Sequence, residues 1–472
     1  MNNLKFLGKA TIIYLLGNVL TRIIGFLMIR VYTVYITPND FGKYDVTLTY
    51  ILLISSIVFF DIWNGIMKFY FEKKETEAKN KIVSNGIMIF LTSIILYTVT
   101  FGVAHVFLDF EFMFLVYIYG ILISLQNLYG YASRMMKFNK AFVFSGILSS
   151  LLNSGLVFLL LSVFKMGYES MYIGFIVGII VQVLFLNYYV KLHKYFKKDY
   201  IDKSVIKNLF IYSLPLSINS AAYWLLTGFG KIYISHVLGE EYNGYLAIAA
   251  KFAIFITLIS TAFTMAWQEL SFRKFEKTEK NIAFFNQFSK FFMELLIFSS
   301  VFIMALIYFI FPYMVTESYT QSKTLIPLYL SSTIFSILST FFGTILLTFK
   351  VSKWIFISTI SAAVVNVLVN VLFLQRFGII IAPIALLVAW FVNATIRIIT
   401  INKVITFKPV SFKLFVFMAM LGGSIHFFDL QNKWYIIMYS FICLLLGLLL
   451  YYRDIKSGLR YLKKGVNIEH EN

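Results

Sequence analysis

Charge is scarce in this chain of 472 residues: Asp, Glu, Lys and Arg make up 13% of it, about half their share in an ordinary soluble domain. Apolar and aromatic residues make up 60%, and the mean hydropathy is +0.82. That is more apolar surface than a globular core hides, so the bilayer must be part of the solvent and a soluble enzyme is excluded. Cysteine is nearly absent. Cys443 alone, inside an apolar run, permits no internal disulfide and no thiolate metal cage. The five histidines, His105, His193, His236, His426 and His470, show no ligand spacing such as HExxH, so neither a metal centre nor a cofactor is expected.

What fills the chain instead is a series of apolar runs of about 17 to 25 residues, each bounded by charges or turn residues. Lipid offers backbone groups no outside hydrogen-bond partner, so each run is predicted to cross as a helix. Fourteen are predicted, at 10–36, 44–66, 83–107, 113–133, 141–164, 171–190, 209–236, 244–267, 291–314, 326–348, 354–374, 379–399, 412–427 and 434–451. The first follows Lys5 and Lys9 as a secretory signal would. It is too long, carries Arg22 and lacks a small-residue cleavage site, so it is expected to remain a span.

A net charge of +19 would point to nucleic acid in a soluble chain. Here 31 of the 41 Lys and Arg fall in segments sharing the N-terminal side, and only six lie on the other side or at its helix ends. Loop bias therefore explains most of the charge, no nucleic-acid partner is expected, and both termini are placed in the cytoplasm. Loops on the opposite side are too short for a catalytic domain, which leaves the chemistry to the helices. In the tail, Tyr452, Ile455, Leu459 and Leu462 recur at helical spacing among basic residues, as either an amphipathic helix on anionic headgroups or a solvated basic segment.

Set against itself at an offset of 201, the chain brings Asn18 onto Asn219, Arg30-Val31-Tyr32 onto Lys231-Ile232-Tyr233, Asp40 onto Glu241 and Tyr44 onto Tyr245. Six spans separate the two units, an even number, so the repeats run parallel. The expected architecture is an all-α polytopic membrane protein with two pseudo-symmetric six-helix lobes and two C-terminal helices. The segments are 1–190, a basic cytoplasmic linker 191–208, 209–400, two spans within 401–451, and a tail 452–472. Such a duplication supports alternating access by rocking one lobe on the other. Gly17 and Pro215, near the starts of the paired spans one and seven, are the candidate hinges.

A basic group at mid-bilayer costs about 2.5–3.5 kcal/mol, so each one retained there is a candidate for a lumen. Arg22 lies deepest, with Asn18 one turn away on the same face. Lys251 either lines the lumen or snorkels to the interface. Arg30 and Lys231 either flank the outer mouth or anchor there, and Arg397 is expected to anchor near the cytoplasmic end. Acids inside the spans are few: Asp45 at an outer edge, and Asp61 and Glu294 near cytoplasmic ends, with Glu294 placed to pair with Lys290. A cationic cavity follows, suited to a phosphate-bearing passenger. Neutral groups that could meet hydroxyls are Asn153, Gln182, Asn219 and the pair Asn366 and Asn370, although asparagines in membrane helices also join helices together.

The stretches Gly17-Asn18-Val19-Leu20-Thr21-Arg22-Ile23-Ile24-Gly25-Phe26 and Tyr35-Ile36-Thr37-Pro38-Asn39-Asp40-Phe41-Gly42-Lys43-Tyr44 resemble the opening of Wzx-type polysaccharide flippases. These belong to the MOP superfamily with the MATE exporters and MurJ-type lipid II flippases. Ser213-Leu214-Pro215-Leu216-Ser217-Ile218-Asn219 and Lys231-Ile232-Tyr233-Ile234-Ser235 resemble the start of that family's second half. The resemblance implies a bacterial inner-membrane protein that moves an undecaprenyl-pyrophosphate-linked oligosaccharide to the outer leaflet for capsule or O-antigen. Membrane lipids, a polysaccharide polymerase and glycosyltransferases are the further partners implied. The family's basic cavity residue maps onto Arg22, while its Asp-Arg pair in helix seven is Gly230-Lys231 here, lacking the acid.

Three alternatives stay open at this point. A MurJ-type lipid II flippase shares fold and charge. A MATE-type antiporter is disfavoured by the absent deep acid, and a membrane glycan polymerase or ligase by the short outer loops.

Overall fold

Caps and turns place the helix boundaries. The computed structural model describes the backbone of residues 2–108, 110–272, 278–430 and 432–469, and from Gly17 to Tyr452 most of their side chains, Asn18 not among them. Its helices are α1 (Asn2–Tyr35), α2 (Pro38–Val58), α3 (Ile62–Glu72), α4 (Thr76–Leu108), α5 (Met113–Met135), α6 (Asn139–Ser162), α7 (Glu169–Val190) and α8 (Lys203–Val237). The second half holds α9 (Glu240–Lys251), α10 (Ile254–Phe272), α11 (Glu279–Met314), α12 (Ser322–Thr348), α13 (Lys353–Phe377), α14 (Ile381–Val404), α15 (Phe412–Asp429) and α16 (Lys433–Glu469). Thr37 caps α2 by accepting from the Asp40 amide at 3.2 Å, with Pro38 in the first turn where its missing N–H costs nothing. Asp202 caps α8 in the same way through the Ser204 amide at 2.7 Å.

Among the described residues, twelve segments are long and apolar enough to cross a membrane. One of them, Lys353–Val404, contains both α13 and α14, and α1 adds another helix of spanning length, in keeping with fourteen crossings. Helices α1–α7 and α8–α14 repeat one plan: a long helix, a span broken in two, then four long helices. α1 packs on α6 as α8 packs on α13. Across the halves α1 reaches α9, α10 and α11, while α8 reaches α2, α3 and α4.

The repeat extends to single hydrogen bonds. Asn85 of α4 donates to the Tyr200 carbonyl at 2.7 Å and accepts from the Asp202 amide at 2.9 Å, clasping the segment after α7. Asn286 of α11, 201 positions on, donates to the Thr406 carbonyl at 2.9 Å and accepts from the Lys408 amide at 2.6 Å, clasping the segment after α14. The segment 191–208 is thereby pinned to the first half along its course.

At the opposite face, remote from the clasps, α2 crosses α9 through two glycines in reciprocal contact. A Cβ on Gly42 would sit 1.8 Å from the Glu240 carbonyl oxygen, and one on Gly244 would sit 2.0 Å from that of Pro38. Only hydrogen allows backbones this close. On the same face Thr33 donates to the Met314 carbonyl at 3.1 Å, and the Tyr319 hydroxyl donates to that of Ile36 at 3.0 Å, so α1 is tied to the turn before α12.

The helices break elsewhere than at the expected hinges. α1 runs unbroken through Gly17 and α8 through Pro215. Gly17 is a packing site, where a Cβ would lie 2.3 Å from Cγ1 of Val143. Breaks fall between α2 and α3, where Phe60 (φ 53°) and Asp61 (φ 47°) are left-handed, and at Phe252–Ala253 between α9 and α10. Two left-handed residues cost of order 1–3 kcal/mol each. They are held by the fully buried Phe59 and by Ser220, which donates to Asp61 at 2.5 Å.

The last two helices dock on α11 through a buried acid. Glu294 accepts from the Ser411 and Tyr451 hydroxyls, joining α11 to α15 and α16. The expected pairing with Lys290 is thus replaced, because Glu294 turns into the helix contact and is 3% exposed. Side chains of the amphipathic tail expected beyond Tyr452 lie outside the described residues.

Candidate functional site

Lys231 on α8 and Asp45 on α2 form an ion pair between the halves, with Nζ 3.0 Å from Oδ2 and 3.1 Å from Oδ1. The side chains are 23% and 16% exposed, so water screens the pair only in part. Asn243 of α9 donates both to Asp45 Oδ2 and to the Gly42 carbonyl, each at 3.2 Å, and so links the pair to the glycine crossing. The acid absent beside Lys231 in sequence is supplied by α2. Sequence reading placed Asp45 at an edge and missed this role, because the signal is a contact between halves and not a spacing.

Lys251 is the last residue of α9, the helix that also carries Asn243. Its Nζ stands 5.4 Å from the Tyr32 ring centre and 5.6 Å from that of Phe41, so the ammonium faces π-clouds of the first half. Deeper along α1, Arg22 is half-buried and donates from Nη1 to the Thr261 hydroxyl of α10 at 3.1 Å. Four ion pairs form among the described residues, and neither Arg22 nor Lys251 belongs to one.

The remaining sequence candidates scatter. Arg30 is exposed on the α1 face that also carries Leu20, Ile23, Leu27 and Val34, an apolar stripe that ends in a charge as an interface anchor does. Asn219 is half-buried on α8 between Ser217 and Ser220, which bond to Ser56 and Asp61 across the halves. The Asn18 side chain lies outside the described residues. Asn366 and Asn370 stand on no cavity wall: they are 1% and 0% exposed, Asn366 donates to the Leu226 carbonyl at 2.8 Å, and Asn370 donates back to Asn366. The Asn366 bond to α8 and the burial of both side chains in the α8–α13 contact make them a helix joint.

Arg397 is likewise no surface anchor. It is 6% exposed inside the second half, donating to Ser358 Oγ at 2.9 Å and the Ser339 carbonyl at 2.6 Å. Beside it Ser339 donates to Asn393, joining α12 to α14. In the first half the corresponding helices α5 and α7 are joined by Gln126, which donates to Gln182 at 2.6 Å, and the space there is open. A cavity of about 470 Å³ lies between α1, α2, α5, α6 and α7, with Thr21, Gln126, Ser149, Ser150, Asn153 and Gln182 among its walls.

A second hollow of about 550 Å³ opens at the face of the glycine crossing, lined by Lys43, Glu111, Tyr168, His236 and Glu240 among others. Lys43 bridges to Glu111 at 3.0 Å, and Tyr168 donates to the same carboxylate at 2.8 Å. Hydrogen bonds from Tyr168 and Lys43 hold the Glu111 carboxyl below the usual range.

The sequence profile of the family described as "polysaccharide biosynthesis protein" matches residues 7–268, which include both segments quoted from the start of the chain. No curated protein sequence matches the chain. Among solved structures, a lipid II flippase MurJ in an inward closed conformation superposes with TM-score 0.68 at 16% identity, over 94% of this chain and 99% of that one. An inward-facing multidrug resistance MATE transporter of the MOP superfamily gives 0.67 at 13% identity, over 83% and 98%. An outward-facing MATE structure gives 0.59 at 14% identity, over 84% and 94%. These likenesses establish that the chain has the fold shared by the MurJ and MATE structures; a shared fold does not by itself assign a function. With more than half of its length matched by the profile, the chain belongs to the polysaccharide biosynthesis protein family.

Proposed function

We propose that the chain is a flippase that carries an undecaprenyl-pyrophosphate-linked oligosaccharide from the cytoplasmic to the outer leaflet of a bacterial inner membrane. Both termini face the cytoplasm in this reading, and the glycine crossing of α2 and α9 lies at the outer face. The observation that carries it is a set of cations between the halves, Arg22 and Lys251, outside any ion pair among the described residues, with Lys231 held by one acid. Guanidinium and ammonium groups in a partly dry site bind phosphate oxygens through charge-assisted hydrogen bonds.

The Lys231–Asp45 pair gives the passenger a way to move the halves. A diphosphate headgroup competes with Asp45 for Lys231, loosening the contact that Asn243 extends to Gly42. Opening at the outer face then follows headgroup binding, and closure follows release, which is alternating access by rocking. A polymerase and glycosyltransferases would act on the glycan after and before this step.

Transport of a fluorescent pyrophosphoryl-linked glycan by the purified protein in liposomes tests the reading. Arg22→Ala is expected to insert normally and to slow transport roughly ten- to hundredfold, the range for losing a charged hydrogen bond. Unchanged transport removes the basis for the cationic path. Lethality on deletion would shift the assignment to lipid II, and drug accumulation in a deletion strain would shift it to a small-molecule exporter.

A further inference from the structure

The cavity inside the first half lies on a different flank of α1 from the charges: Gly17 and Thr21 wall it, while the neighbouring Arg22 turns to α10. Among the described residues, no charged side chain lines it. A neutral wall disfavours a diphosphate, whose desolvation it could not offset. Its polar groups are amides and hydroxyls. Gln126 and Gln182 spend one donor and one acceptor on each other, which leaves the Gln126 oxygen with lone-pair capacity and the Gln182 amide with two N–H donors. Asn153 also stands in the wall, with its Oδ1 turned away from the space and buried against Gly174 of α7. Tyr119, Phe142 and Phe175 add ring faces.

That mixture suits a group whose substituents both donate and accept and whose ring carries apolar C–H faces. The volume, about 470 Å³, falls within the range of about 300–1,000 Å³ for small-ligand pockets. The space is not a by-product of the helix plan either, since in the second half Arg397 and its hydroxyl partners occupy the equivalent position.

We infer that this cavity is a subsite for an uncharged sugar ring of the lipid-linked glycan, gripped by Gln126 and Gln182. The assignment rests on the flippase reading above and adds to it a division of labour, in which cations between the halves hold the diphosphate and neutral amides hold the first sugars.

Binding of two probes to the full chain in nanodiscs separates the two claims: undecaprenyl pyrophosphate, and the same lipid bearing one N-acetylglucosamine. Wild-type protein is expected to bind the sugar-bearing lipid about tenfold more tightly, the equivalent of one or two neutral hydrogen bonds. Gln182→Met is expected to erase that preference while leaving affinity for the sugarless lipid unchanged. Ser150→Phe, which fills the cavity and keeps both glutamines, is expected to do the same, and serves if the first variant fails to fold. Equal binding of both lipids by the wild type, or equal weakening of both by the variants, overturns the subsite and leaves the diphosphate path standing. Failure of the wild type to bind either lipid overturns both. A preference that follows sodium concentration and not the sugar assigns the cavity to a cation and overturns the inference.

Discussion

Asp45 of α2 and Lys231 of α8 meet at 3.0 Å across the two halves, and Asn243 bonds the same carboxylate from α9. Three helices therefore converge on one carboxylate beside the crossing of α2 and α9 at Gly42 and Gly244. Substituting one member leaves a partly shielded charge unpaired, at about 1–3 kcal/mol for a pair between the exposed and buried limits. Asp45→Asn is expected to bind pyrophosphoryl lipid more tightly, because Lys231 is freed, and to transport it more slowly, because the contact no longer resets. Lys231→Met is expected to weaken binding. The double variant should resemble Lys231→Met, with a coupling energy readable from a double-mutant cycle on binding.

Gly42 and Gly244 impose a steric test of alternating access. A Cβ at Gly42 would lie 1.8 Å from a carbonyl oxygen, closer than any real contact, so the backbones must part. Gly42→Ala and Gly244→Ala are each expected to destabilise the closed crossing by about 1–3 kcal/mol, as overpacking does elsewhere. In a Cys443→Ser background, disulfide crosslinking between cysteines placed at Pro38 and Glu240 reads the closed state. Both alanine variants should lower its yield, and an unchanged yield would show that the crossing does not close the outer face.

Legibility in the sequence followed the physics of each signal. Apolar runs report span number because lipid acts on composition, and the fourteen expected from them are in keeping with the helices observed. The offset of 201 was visible in Arg30 and Lys231, yet its best structural counterpart is Asn85 with Asn286, a polar pair hidden among ordinary helix residues. Arg22 stood out by depth and does lie between the halves. Asp45, Asn243 and Gln126 did not stand out, since each matters through a partner more than 50 positions away. Conversely, Asn366 and Asn370 show the i, i+4 spacing of a binding face but turn into α8. Spacing marks a shared face, and only packing decides whether that face is wet.

Arg397 tests whether the second half works as a rigid block. Its guanidinium donates to Ser358, Thr359 and the Ser339 carbonyl and pairs with no carboxylate among the described residues, so the fork geometry is what satisfies it. Arg397→Lys cannot reproduce three directed bonds and is expected to lower stability about as much as Arg397→Met, by about 2–4 kcal/mol for losing buried hydrogen bonds to a charged group. Thermal unfolding in detergent measures this. Near-complete rescue by lysine would mean that charge alone is needed there.

The hollow beside the glycine crossing should respond to acid through Glu111. Tyr168 and Lys43 lower its pKa in the folded protein, so their contribution to stability is present above the ordinary glutamate value near about pH 4.3 and is lost as pH falls through the lower folded value. Glu111 and Lys43 are 52% and 36% exposed, so the effect is small and weakens with salt. The difference in unfolding temperature between wild type and Glu111→Gln is expected to hold from neutral pH down to mildly acidic pH and to vanish below the folded pKa. A difference that instead grows on acidification would show that the carboxyl is bound in its protonated form, with Lys43 turned away from it.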